Sequence, residues 1–209
     1  MLTIGDSLSG NNNLWQPTVT KLLNIPEYGI LGGAGLTVSN QGAEINTIYN
    51  RVIGMEIDPS ADLITFWGGY NDFSRAVVLS TLEKQIDKKT RDSSTFYGGV
   101  LDCVEKIIST YPLKQIIMIG TTPFDVNGSW TVKTNKHGLK IVDYVNAFQE
   151  VAEYYSIPFL DLLHNSGFNS YNFETYYLDQ SYWLHPNANG NELLGHKIAG
   201  FVKGLNGIY

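Results

Sequence analysis

The sequence predicts an α/β fold, a three-layer α/β/α sandwich around a mostly parallel central sheet. Apolar runs of strand length alternate with longer stretches of helical periodicity, the pattern of strands joined by crossover helices. Ile116 to Ile119 are four apolar residues in a row, as in a strand covered on both faces. Gly68, Gly69 and Gly120 stand directly behind predicted strands, at the edge where an open parallel sheet gathers its functional loops. With 209 residues and 43% hydrophobic content, positions 1–209 are expected to form one domain with a sizeable core.

The elements follow in order. Leu2 to Ile4 reads as a first strand, and Leu14 to Leu23 as a helix in which Pro17 is tolerable only in the first turn. Gly29 to Leu31 is a short second strand. A helix over Ile45 to Ile53 precedes a buried strand from Asp62 to Trp67. Val100, Val104, Ile107 and Ile108 recur at helical spacing until Pro112 stops the helix. Gln115 to Ile119 is the next strand. Leu139 to Tyr155 is amphipathic through Ile141, Val142, Val145, Phe148, Val151 and Ala152. Ile157 to Leu160 is read as the last strand, and a final helix from about Asn189 carries Leu194, Ile198, Phe201 and Val202 on one face. There are no internal repeats and no low-complexity linker.

Composition excludes several classes. The formal net charge of −6 comes from scattered acids, so no polyanion-binding face and no nucleic-acid partner are expected. Apolar stretches fall far short of the roughly 18 to 20 residues of a membrane span, and a soluble protein is expected. Cys103 is the single cysteine, which excludes an internal disulfide and argues against a thiolate zinc site; it reads as a small apolar residue on a helix face. Met1 to Ile4 carries no basic or long apolar leader. The first strand starts almost at residue 1, as in a domain cut from a longer chain or freed of a leader. A secreted, cell-surface or phage-associated setting fits such a fragment.

Three segments carry chemistry. Gly5-Asp6-Ser7-Leu8-Ser9 follows the first strand, placing Ser7 on the turn before the next helix. A serine hydroxyl needs a base to become a nucleophile, and such a turn exposes it and offers backbone N–H donors to an oxyanion. The same residues also serve as an ordinary helix cap. Gly69-Tyr70-Asn71-Asp72 follows the strand ending at Trp67; its side-chain amide can face an oxyanion, although Asn-Asp after Gly is also a common turn. His185, before Pro186, lies in an extended segment ahead of the final helix and can lean over a neighbouring loop. His164, behind the predicted last strand, is its one serious rival.

Taken together, these segments resemble the SGNH (GDSL-type) hydrolases, whose four name-giving residues occur here in the family's order over positions 5 to 187. Ser7 matches in GDSLS, Asn71 in GYND and His185 in HPN. For the glycine, Gly35 in Gly-Gly-Ala-Gly-Leu-Thr is chosen, with Gly33 the runner-up. The resemblance implies a flavodoxin-like SGNH hydrolase fold and a serine esterase without metal or organic cofactor. Ser7 would attack the ester carbonyl and His185 would move the proton, with Ser7, Gly35 and Asn71 forming the oxyanion hole.

One position departs from the family pattern. The acid usually three residues before the histidine is Tyr182 here, and the nearest upstream acid is Asp179. An enlarged loop would let Asp179 complete a Ser-His-Asp triad; otherwise the site is a Ser-His dyad. The expected substrate is a small acyl ester, with O-acetyl groups on a carbohydrate preferred. Asp6, Trp130, Tyr182 and Trp183 are candidate substrate contacts. The aromatic run Phe168 to Trp183 either lines a sugar-binding face or ties a long loop to the core, and the polar loop Asp125 to His137 is a second candidate wall. The competing functions are a noncatalytic carbohydrate-binding or structural module of a cell-surface or phage-tail protein, and a lipase or thioesterase using the same groups.

Overall fold

The computed structural model describes residues 1–10, 14–43, 45–55, 58, 60–126, 132–178 and 182–205. In chain order these form β1 (Leu2–Gly5), α1 (Gln16–Leu23), β2 (Gly29–Gly32), α2 (Ile48–Ile53), β3 (Leu63–Trp67), α3 (Tyr70–Ser74), α4 (Leu82–Gln85) and α5 (Phe96–Thr110). There follow β4 (Gln115–Gly120), β5 (Asp125–Val126), α6 (Ile141–Tyr154), β6 (Phe159–Asp161), α7 (Leu162–Asn165), α8 (Phe173–Tyr176), β7 (Tyr182–Trp183) and α9 (Ala188–Leu205).

Five strands make a wholly parallel sheet in the order β2-β1-β3-β4-β6. Central β3 is buried at every position, which is why its sequence is a continuous apolar run with only Thr65 interposed. Alternation divides the strand side chains between two cores. Ile4, Ile64, Phe66, Ile116 and Met118 face the helices α2, α5 and α6, whereas Leu63, Trp67, Ile117, Ile119 and Leu160 face α1 and α9. The three layers expected from the sequence follow from this division.

Several boundaries move for local reasons. Helix α1 begins at Gln16 with Pro17 in its first turn, as the missing proline N–H requires. Helix α2 begins only at Ile48, because Thr47 caps it by accepting the Asn50 N–H at 3.0 Å. Strand β6 is not the last strand. Two-residue β5 and β7 pair antiparallel, Asp125 with Trp183 and Val126 with Tyr182, a contact between distant segments that no hydrophobic period announces. Cys103 is a buried free thiol on α5, and burial pushes its pKa up. No helix among the described residues is long and apolar enough to cross a membrane.

Candidate active site

The nucleophile candidate is set on a turn rather than on a helix. Residues 6–10 leave β1 as consecutive turns, and α1 starts only at Gln16. Asp6 organises the turn by accepting the Leu8 N–H at 3.0 Å through Oδ1. Buried residues at the start of α1 hold its far side: Trp15, the residue before the helix, donates through Nε1 to Leu8 O at 3.2 Å, and Gln16 Nε2 donates to Ser9 O at 2.7 Å. Gly5 is required by space, since a Cβ there would lie 1.9 Å from Ser9 Oγ and 2.6 Å from Trp67 O.

His185 reaches this turn from the other end of the chain. Leu178 N–H donates to His185 O at 2.9 Å, and Asn187 N–H donates to Tyr176 O at 2.8 Å. The Asn187 side-chain amide donates to Thr175 O and Tyr177 O, while its oxygen accepts the Gly190 N–H at 3.1 Å and so caps α9. Held in this way, His185 Nε2 lies 3.0 Å from Ser7 Oγ. Burial lowers the pKa of the imidazole, which favours the neutral form that can accept the serine proton. His164, the rival, is instead exposed and paired with Asp161, Nδ1 to Oδ2 at 2.6 Å.

Asn71 lies in the first turn of α3, directly behind β3. Its Nδ2 is 3.1 Å from Leu36 O and 3.3 Å from Asp6 Oδ2, so the amide, the glycine loop and the nucleophile turn touch at one point. In that loop the Gly33 N–H is already committed to Gly5 O at 3.1 Å. Gly35, in the left-handed region at φ +73°, makes no backbone N–H bond among the described residues. This difference favours Gly35 over Gly33 as an oxyanion donor.

Two buried carboxylates brace the arrangement. Asp6 is only 1% exposed, so it supports the site from beneath and is not available as the substrate contact expected from the sequence. Burial, reinforced by nearby Asp72 and opposed by the Leu8 and Asn71 hydrogen bonds, pushes its pKa up to about 7. Asp72 was not singled out by sequence reasoning, although it adjoins Asn71. It accepts the Val38 N–H at 2.8 Å, the Ser39 N–H at 3.0 Å and the Ser39 hydroxyl at 2.6 Å, clamping the loop after β2 to α3. Burial raises its pKa, and these hydrogen bonds work against that rise.

The aromatic run serves mainly as packing. Phe168, Phe173 and Tyr177 are buried and stack or meet edge-on with Tyr176 and Trp183. Trp183 is partly buried within this cluster, and the Tyr177 hydroxyl donates to Pro123 O. Among the described rings of this run, Tyr171 alone is fully open to solvent. Asp179 and Trp130 lie outside the described residues; Tyr182 is described in its backbone, paired with Val126.

A serine and a histidine in hydrogen-bond contact at the C-terminal rim of a parallel sheet, with an amide and a glycine loop beside them, define a serine hydrolase site. The sequence profile of the GDSL-like Lipase/Acylhydrolase family matches residues 3–193, and the chain belongs to that family of ester hydrolases. Its fold is shared with a protein from Lactobacillus plantarum (23% identity, 97% of this chain and 95% of that one, TM-score 0.83). It is also similar to a possible lipase from Chitinophaga pinensis (19% identity, 98% of both chains, TM-score 0.75). The lipase/acylhydrolase from Enterococcus faecalis is similar too (19% identity, 98% of this chain and 95% of that one, TM-score 0.64). No curated protein matches the chain in sequence.

Proposed function

We propose that this serine ester hydrolase cleaves small acyl esters, with O-acetyl groups on a carbohydrate as the preferred substrate. The observation that carries the mechanism is the 3.0 Å contact between Ser7 Oγ and His185 Nε2. His185 takes the serine proton as Oγ attacks the acyl carbonyl, then returns it to the leaving alcohol; water repeats the cycle on the acyl-enzyme. The oxyanion is held by the Ser7 and Gly35 backbone N–H groups and by Asn71 Nδ2, whose longer hydrogen bond, 3.3 Å to Asp6, gives way as the negative charge develops.

Asp179 is the carboxylate we assign to the far nitrogen of His185. Support comes from its neighbour Leu178, whose N–H is bonded to His185 O, so that the acid directly follows in sequence a position already paired with the histidine. A cavity of about 120 Å³ is lined by Tyr70 and Phe73, on the helix that carries Asn71, and by Phe124 and Asn135 among others. A larger one of about 390 Å³ opens among Met1, Asp62 and Gln115, at the opposite edge of the sheet.

A chromogenic acetyl ester tests the reading. The unaltered chain should turn it over and Ser7→Ala should not, with both variants equally folded by circular dichroism. Turnover that survives the substitution would remove Ser7 from the mechanism and favour a noncatalytic binding module.

A further inference from the structure

The chain has only three arginines, Arg51, Arg75 and Arg91, and a formal net charge of −6. Arg91 is spent inside the fold, where its guanidinium pairs with Asp102 and Glu105. The other two both reach the glycine loop beside the catalytic turn. Arg51 Nη1 donates to Gly32 O, and its Nε to Asn46 Oδ1 at 2.9 Å. Arg75 Nη2 donates to Gly35 O at 2.7 Å. Neither makes an ion pair among the described residues.

Arg75 is the better placed of the two. It stands four residues after Asn71, and its N–H closes onto Asn71 O at 3.0 Å, so both side chains leave the same face of α3 one turn apart. The side chain is exposed. One of its five N–H groups is used on Gly35 O, which leaves an open fork of donors of the shape that grips a carboxylate or phosphate. A structural role alone, holding one carbonyl, does not require a permanent cation there. A cation without an ion pair among the described residues, at the mouth of a site in an acidic protein, suits a substrate whose own charge completes the pair.

We propose that Arg75, assisted by Arg51, recognises an anionic group on the substrate close to the scissile ester, so that the preferred substrate is an acyl ester of an acidic alcohol such as a sugar bearing a carboxylate or a phosphate. This rests on the ester-hydrolase reading of the same site. The anion adds no chemical step; it docks against the guanidinium while the carbonyl enters the oxyanion hole.

The test compares kcat/KM for 3-acetoxybenzoate, 3-acetoxyphenyl phosphate and the neutral, similarly shaped 3-acetoxybenzamide, in the unaltered enzyme, Arg75→Gln and Arg75→Lys. The unaltered enzyme should prefer at least one anion over the amide by about tenfold or more, as expected for a charge-assisted pair, and the preference should shrink with added salt. Carboxylate and phosphate are separated by which arm shows it. Arg75→Gln should bring the ratio close to one, and Arg75→Lys should retain part of it. No anion preference in the unaltered enzyme, or Arg75→Gln slowing all three esters in proportion, would overturn the proposal and leave Arg75 as a support for Gly35. Binding of 3-hydroxybenzoate and inorganic phosphate to Ser7→Ala, with and without Arg75→Gln, reads the anion site without turnover; equal binding in the two overturns it as well. Failure of the ester reading appears differently, as turnover that persists in Ser7→Ala.

Discussion

Replacing Asp6 by Asn should remove a pH dependence of folding stability that this one carboxyl imposes. Asp6 is fully buried, and its pKa is pushed up from 3.8 to about 7, first by burial and then by the neighbouring charge of Asp72. A folded-state value above the unfolded one means that the folded protein keeps a proton which the unfolded chain releases between about pH 4 and 7. The stability so contributed is complete below about pH 4 and is lost as pH rises through about 7. About three pH units separate the two values, and at 1.36 kcal/mol each the effect amounts to roughly 4 kcal/mol. Guanidinium unfolding of the unaltered chain and Asp6→Asn at pH 4, 6 and 8 measures it, because groups common to both cancel in the difference. The stability of the unaltered chain relative to the variant should fall across this range. A difference that stays flat within about 1 kcal/mol would refute the argument that burial, rather than the Leu8 and Asn71 hydrogen bonds, governs Asp6.

Three further outcomes follow from the site. Since burial lowers the pKa of His185 and only the neutral ring can act as base, kcat/KM should rise with pH through an inflection below 6.5; a pH-rate profile with its inflection above 6.5 contradicts this. If Asn71 is an oxyanion donor as proposed, Asn71→Ala should lower kcat by about 10² to 10³ while the circular dichroism spectrum stays native. Asp179→Asn should lower kcat by about 10⁴ if this acid orients the imidazole, and a fall of less than about tenfold would leave a Ser-His dyad.

Elements that bury a broad apolar face were legible from residue order. Strands β3 and β4 and helices α5, α6 and α9 were read within a few residues, the strands because both faces are covered and their sequence is a continuous apolar run, the helices because one face meets the core with period 3.6. The short helices α3, α4, α7 and α8 and the β5–β7 pair were not, since four or five helical residues make little more than one turn and two strand residues one alternation, too little to repeat a pattern. The aromatics from Phe168 to Trp183 show the same limit. Their sequence permits either a sugar platform or a packed loop, and only the ring contacts among Phe168, Phe173, Tyr177 and Trp183 decide for packing.

Residue order alone determined the layered α/β architecture and pointed to the three segments proposed to carry chemistry, because local propensity and short motifs are properties of neighbours along the chain. The tertiary structure alone decided that His185 rather than His164 meets Ser7, that the Gly33 N–H is taken while that of Gly35 makes no bond among the described residues, and that Asp6 is a buried brace rather than a substrate contact. Those outcomes depend on distances between residues up to 178 positions apart and on which groups water can reach, neither of which has a signature in local sequence.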